Sequence, residues 1–240
     1  MSSVSDLIRK VRHSFCTVVV VAAGESTRMG QDKLFLELGG IPILAHTLKT
    51  LDASPTVDEI IAVTRLEKLD AVAAMKEHYG IGKLTKVVIG GRNRTESALS
   101  GVSEADRRAR VICIHDAVRP FVTNEIIADA VHYALIYQSA APAVPVKDTI
   151  KRARDGVVCE TPDRGELFAV QTPQAFQPEI IKAALTAAVR DGISYTDDCA
   201  AVEALGVHTY LCRGSEENIK ITTPADLPLA ESIMDSRSEK

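Results

Sequence analysis

Val18-Val-Val-Val-Ala-Ala-Gly-Glu-Ser-Thr-Arg-Met-Gly-Gln-Asp-Lys33 joins an unbroken valine run to a loop of small residues and cations. A continuous β-branched run reads as a strand buried on both faces, the kind found in parallel sheets. Small residues at Ala22, Ala23 and Gly24 let backbone N–H groups approach an anion closely. Arg28 and Lys33 supply cations in the same loop. The stretch therefore predicts a phosphate-handling loop at the C-terminal end of the first strand, where ligands sit in open α/β sheets.

The loop fits neither common phosphate motif. Gly24 and Gly30 are too far apart for a P-loop, and Lys33 does not follow Gly30 directly. Ser26 and Thr27 interrupt a dinucleotide fingerprint. The remaining pattern, Ala-Ala-Gly-x-x-x-Arg-Met-Gly-x-x-Lys, resembles the signature loop of nucleotidyltransferases that act on sugar and alcohol phosphates.

Composition narrows the partners. A chain of 240 residues can bury the core of one large α/β domain. A net charge of −4 gives no electrostatic case for nucleic acid or an acidic membrane surface. The five cysteines have no Cys-x-x-Cys spacing, which fits a reducing cytoplasm without disulfides or zinc. No apolar run approaches transmembrane length. Residues 1–15 read as a polar, partly helical extension, because the apolar stretch at Val18–Ala23 is too short for a secretory leader. Residues 16–240 read as a single domain.

Outward from the first strand, strands and amphipathic helices alternate. Strands are predicted at 60–63, 86–89, 111–115, 141–146, 168–171, 209–212 and 218–221. The prolines at 142 and 145 place the 141–146 strand near an edge or an irregularity. Helices are predicted from Pro42 to about Ser54, around Leu69–Tyr79, around Ala98–Ala105, over 124–138 and over 178–190. Two more start at Thr196 and after the Thr223-Pro224 pair. This order implies a Rossmann-like α/β fold: a mostly parallel sheet with helices on both faces. The alternation breaks at Thr149–Thr161, where Asp155-Gly156 marks a hairpin turn. The hairpin is too polar for a core, so residues 147–168 are expected to project as an arm.

Several clusters could carry chemistry. His115-Asp-Ala-Val-Arg-Pro120 follows a strand. Asp116 there could hold Mg²⁺ or accept from a hydroxyl, and Arg119 could pair with Asp116 or reach a phosphate. His115, a single histidine at a strand end, reads as a packed residue. Gly90-Gly-Arg-Asn-Arg-Thr-Glu-Ser97 is a second strand-to-helix corner able to read a nucleobase edge. Thr149, Asp163-Arg164, Gln171-Thr-Pro-Gln174, Thr196-Asp-Asp198 and Asn218-Ile-Lys220 supply further cations, hydroxyls and carboxylates.

Taken in order, these elements are similar to those of the 2-C-methyl-D-erythritol 4-phosphate cytidylyltransferases of the non-mevalonate isoprenoid pathway. The likeness runs from about residue 17 to residue 232. It departs from the family pattern at Glu25–Thr27 and at Asp32, where a proline is usual. The resemblance implies CTP held by Ala22, Ala23, Gly24 and Ala117, with cytosine read at Gly90, Gly91 and Ser97. It implies Arg28, Lys33 and Lys220 as catalytic cations and Mg²⁺ at Asp116. It places Asp116, Arg119, Thr149, Arg164, Thr172 and Thr196 around the polyol phosphate. It also implies a homodimer with interlocking arms, so that Thr149 and Arg164 of one subunit complete the other's site. Ribitol 5-phosphate is the alternative acceptor. A sugar-1-phosphate nucleotidyltransferase fits less well, since such enzymes usually carry additional domains. An inactive nucleotide-binding regulatory module would not require Arg28, Lys33, Asp116 and Lys220 together.

Overall fold

The computed structural model describes residues 14–24 and 34–238. Most of the N-terminal extension and the loop segment 25–33, with Arg28 and Lys33, lie outside the described residues.

The valine run is strand β1 (Cys16–Val21). Its alternate side chains serve two cores. Val18 and Val20 pack with helices α1 (Ile43–Ala53), α2 (Leu69–Tyr79), α4 (Asn124–Tyr137) and α7 (Leu227–Ser238). Val19 packs on the other side with α3 (Arg94–Ser103), α5 (Pro178–Arg190) and α6 (Asp198–Glu203). Helices therefore cover both faces of the sheet. A small β2–β3 hairpin (Glu37–Leu38, Ile41–Pro42) turns through Gly39 and Gly40 and leads into α1.

β1 lies between β4 (Glu59–Thr64) and β6 (Val111–Asp116), parallel to both, and β4 continues to β5 (Leu84–Ile89). The chain builds outward on one side of β1 and then returns to the other. That reversal opens a crevice at the C-terminal ends of β1 and β6.

Beyond β6 the sheet is mixed. β11 (Gln174–Phe176) runs antiparallel to β6 and to β7 (Ser139–Pro145). The sequence did not announce β11, which has only three residues and no alternation. β10 (Phe168–Val170) continues along the same side of β7. β12 (Tyr210–Arg213) pairs with the opposite side. Ala140 shows the arrangement, because it faces Ala175 on one side and Tyr210 on the other. The proline-bearing strand is thus internal rather than an edge. It is irregular, because its partner changes from β11 to β10 alongside Pro142. Residues 218–221 also differ from expectation and form no strand. They are pinned instead by single bonds, Asn218 N–H to Ser215 O at 3.0 Å and Ile221 N–H to Val118 O at 3.0 Å.

The arm is a β8–β9 hairpin (Arg152–Arg154, Val157–Glu160). Asp155 and Gly156 both have positive φ, 48° and 79°, as a two-residue turn between twisted strands requires. Helix α6 starts at Asp198 with Asp197 as its cap, slightly later than Thr196 suggests.

Candidate active site

The C-terminal ends of β1, β4, β5 and β6 surround a pocket of about 550 Å³. It is lined by Ala22, Ala23 and Gly24 after β1, by Gly91 and Ser97 after β5, and by Asp116, Ala117 and Lys220. Sequence-predicted residues from distant parts of the chain therefore meet in one cavity. Gly24 and Leu34, the described residues on either side of segment 25–33, both line it.

The corner after β5 is tight. A side chain at Gly90 would sit 2.5 Å from the Ala23 Cβ and 2.8 Å from the Ser97 Oγ; one at Gly91 would sit 2.2 Å from the Glu96 Cβ. Only glycine permits this approach. The N–H groups of Gly90, Gly91 and Arg92 are occupied internally. Gly90 donates to Thr64 O, Gly91 to Ser97 Oγ and Arg92 to Glu96 Oε2. The Ser97 hydroxyl itself donates to Asn93 O at 2.8 Å and keeps one lone pair. The corner therefore offers acceptors, which suit an exocyclic amino group. Across the pocket, the N–H groups of Ala23 and Gly24 have no hydrogen-bond partner among the described residues and can serve as donors.

The floor of the pocket is a charge cluster. Asp116 Oδ2 accepts from Arg119 Nε at 3.1 Å and from Lys220 Nζ at 3.0 Å. Burial alone would raise the Asp116 carboxyl, but Lys220, Arg119 and Arg94 outweigh it and hold it at about 2. Asp116 is thus ionised at neutral pH. Arg119 takes the pairing role that the sequence allowed, and its Nη1 also donates to Asn218 O at 2.7 Å. Thr47 of α1 fixes the turn by donating to Ala117 O at 2.8 Å. Lys220 remains 41% exposed on its side chain, so it can meet a ligand.

Beneath this cluster, Thr172 is buried. Its Oγ1 accepts from Asp116 N–H at 3.0 Å and lies 3.0 Å from His115 Nδ1. The opposite ring nitrogen of His115 meets Arg119 O at 3.2 Å. The hydroxyl therefore donates to Nδ1, and Nε2 carries the imidazole proton. Burial pushes His115 down to about 4, against the pull of Asp116, so the ring is neutral and braces the turn. Asn218 completes the support by donating from Nδ2 to Gln171 Oε1 and Thr172 O. The Asp-Ala-Val-Arg-Pro, Gln-Thr-Pro-Gln and Asn-Ile-Lys motifs are one hydrogen-bonded unit.

Thr149, Arg164 and Thr196 are exposed and do not line this pocket. Arg164 Nη1 donates to Lys147 O at 2.8 Å on the arm. Conversely, Arg65 and Arg94 line the pocket, and sequence reasoning gave them no role. Arg94 was within a quoted motif, but its partner Asp198 is 104 residues away and no local pattern links the two.

The match with known proteins follows this geometry. The family model for 2-C-methyl-D-erythritol 4-phosphate cytidylyltransferase matches residues 16–236. The chain belongs to that family. A cytidylyltransferase of this name from Clostridium novyi is 43% identical over 222 residues, covering 91% of this chain and 96% of the relative. One from Caldanaerobacter subterraneus is 42% identical over 222 residues, covering 91% and 98%. The crystal structure of 4-diphosphocytidyl-2C-methyl-D-erythritol synthase from Anaerococcus prevotii superposes with a TM-score of 0.84 at 29% identity, covering 95% of this chain and 99% of that one. The Thermus thermophilus cytidylyltransferase gives 0.73 at 28% identity, covering 90% and 98%. The family's nucleotidyltransferase fold thus extends over nearly the whole chain, including the exposed arm.

Proposed function

We infer that this chain transfers CMP from CTP to 2-C-methyl-D-erythritol 4-phosphate, releasing pyrophosphate, in isoprenoid precursor synthesis. The carrying observation is the pocket that joins the small-residue loop, an acceptor-lined base corner and the Asp116–Lys220 pair, in a chain of this family. A phosphate oxygen of the acceptor attacks the α-phosphorus of CTP. The bond to the α,β-bridging oxygen breaks, and that oxygen leaves with pyrophosphate. Charge grows on the α-phosphate oxygens, so fixed cations and alignment supply the catalysis. Lys220, which lines the pocket, takes this role together with Arg28 and Lys33.

The residues present fit Mg²⁺. Asp116 is an ionised carboxylate on the pocket wall, and its described bonds use only Oδ2. No group of three or more metal-ligating side chains occurs among the described residues. One carboxylate plus substrate phosphates is the usual magnesium arrangement. When bound, the ion would neutralise phosphate charge and favour pyrophosphate departure.

The working form is a homodimer. Every residue from 147 to 170 is exposed or half-exposed, including Val157 at 72% and Val158 at 54%. A lone hairpin is marginal in water, and exposed apolar side chains on it seek cover. A second copy supplies that cover and receives Thr149 and Arg164 at its acceptor end. The five free cysteines accord with a reducing cytoplasm. Among the described residues no helix is long and apolar enough to cross a membrane.

The test is pyrophosphate release from CTP and Mg²⁺ with each acceptor in turn. Release with 2-C-methyl-D-erythritol 4-phosphate, and far less with ribitol 5-phosphate, is expected. Preference for ribitol 5-phosphate, or release with neither, overturns the assignment.

A further inference from the structure

Arg94 is the first residue of α3 and lines the nucleotide pocket beside Gly91 and Ser97. Its Nη2 donates to Asp198 Oδ2 at 2.6 Å. Asp198 opens α6, and its side chain is only 1% exposed. A second bond ties the same two segments: Tyr195 N–H donates to Thr95 Oγ1 at 3.2 Å. Between these two attachments stands Thr196, exposed to solvent. From the sheet side, Gln174 fixes the start of α6. Its Oε1 accepts from the N–H groups of Asp198 and Cys199, and its Nε2 donates to Asp197 Oδ2 at 2.8 Å.

A buried carboxylate is an expensive way to join two helices. Apolar residues of similar volume often hold such a junction at least as well. What an arginine–carboxylate pair adds is a fixed distance and direction. Here it joins the corner that faces the nucleotide to the segment that carries Thr196. Arg94 also lies within electrostatic reach of Asp116, so its cation adjoins both the pocket floor and α6.

We propose that Arg94 is a positioning residue which, through Asp198, sets the 195–198 segment and so the placement of the acceptor phosphate relative to CTP. The inference rests on the cytidylyl-transfer reading above. On this view Arg94 contributes little to CTP affinity and much to capture of the acceptor.

The experiment compares Arg94→Met, Arg94→Lys, Asp198→Asn and the Arg94→Met/Asp198→Asn pair with the parent. CTP affinity is measured by calorimetry without acceptor, acceptor KM by pyrophosphate release, and local order by hydrogen exchange of residues 193–200. In Arg94→Met and Asp198→Asn the acceptor KM is expected to rise about ten- to a hundredfold, the worth of one charge-assisted hydrogen bond. CTP affinity should stay within about threefold and exchange at 195–198 should quicken. Arg94→Lys should recover part of the KM, and the double variant should be no worse than the worse single one. Three results overturn the proposal: CTP affinity and acceptor KM weakening together, fully additive effects, or unchanged acceptor KM with unchanged exchange. If Arg94→Met does not fold, Arg94→Lys carries the same test through its smaller loss. Failure of the parent to use the acceptor would sink the cytidylyl-transfer reading, while the exchange data would still report whether Arg94 orders the segment.

Discussion

The turn after β6 and the arm after β7 leave the same end of the sheet, since both strands run antiparallel to β11. Their surroundings are opposite. In the turn, Asp116, Arg119, His115 and Thr172 are bonded to one another and to Asn218, and the unit is largely sealed from water. In the arm, most bonds are local, such as Lys151 to Thr161 and Arg152 to Glu160, with Lys147 at its base reaching Glu216, and among the described residues no core lies underneath. The turn is complete within one chain. The arm keeps Thr149 and Arg164 exposed, away from the pocket. A polar segment that is fully bonded is scaffolding for a neighbour's chemistry, whereas one that is exposed with apolar tips leaves apolar surface open to water.

The sharpest way to break this contrast is to remove a cation from segment 25–33. Lys33→Ala is expected to lower kcat by about 10²–10³, with a much smaller change in CTP binding. The loss should appear in single-turnover measurements at saturating substrates. A kcat within about threefold of the parent would remove Lys33 from the catalytic set and leave its role to Arg28 and Lys220.

The arm is tested by mixing. Arg164→Ala and Lys33→Ala should each be nearly inactive alone. In a mixed dimer, one of the two sites combines an intact Lys33 with an intact partner arm. Random exchange of equal amounts should restore about a quarter of the parent activity. Subunit exchange and dimer mass are followed by light scattering. Exchanged dimers without recovery, or an active monomer, would show that the arm serves its own chain.

The parts of the molecule legible from sequence follow the same division. Val18–Val21 sets a buried strand, and Asp155-Gly156 sets a hairpin, because each conformation is imposed by adjacent residues. The Ala22–Gly24, Gly90–Gly91 and Asp116–Ala117 corners were legible because strand ends locate them and they all reach the pocket. The role of Thr172 as an internal brace was not, and for Arg119 pairing with Asp116 was only one of two readings, since a hydroxyl or guanidinium reads alike whether it faces ligand or its own chain. Likewise β11 and the Arg94–Asp198 pair depend on contacts made only when distant segments meet. The 218–221 segment looks extended and apolar in isolation. Its partners prove to be side chains and a turn rather than a strand.

The smallest expected effect concerns the brace beneath the turn. His115 has a folded value of about 4, lowered chiefly by burial and partly restored by Asp116, against about 6.5 in the unfolded chain. The unfolded chain therefore takes up the proton first. Stability is full above about pH 6.5 and falls as pH drops toward 4, by about 3 kcal/mol in all. Asp116 acts in a lower window: its folded value of about 2 lies below the unfolded one, so its contribution is lost only as pH falls from about 4 toward 2. His115→Asn keeps an acceptor for the Thr172 hydroxyl and removes the titration. Between pH 7 and pH 5 the variant should lose about 2 kcal/mol less than the parent in urea unfolding, whatever its absolute stability. Parallel pH dependences would mean that His115 titrates alike in the folded and unfolded chains. The turn would then be open to water, and the contrast between a sealed site floor and an open arm would fail at its most buried residue.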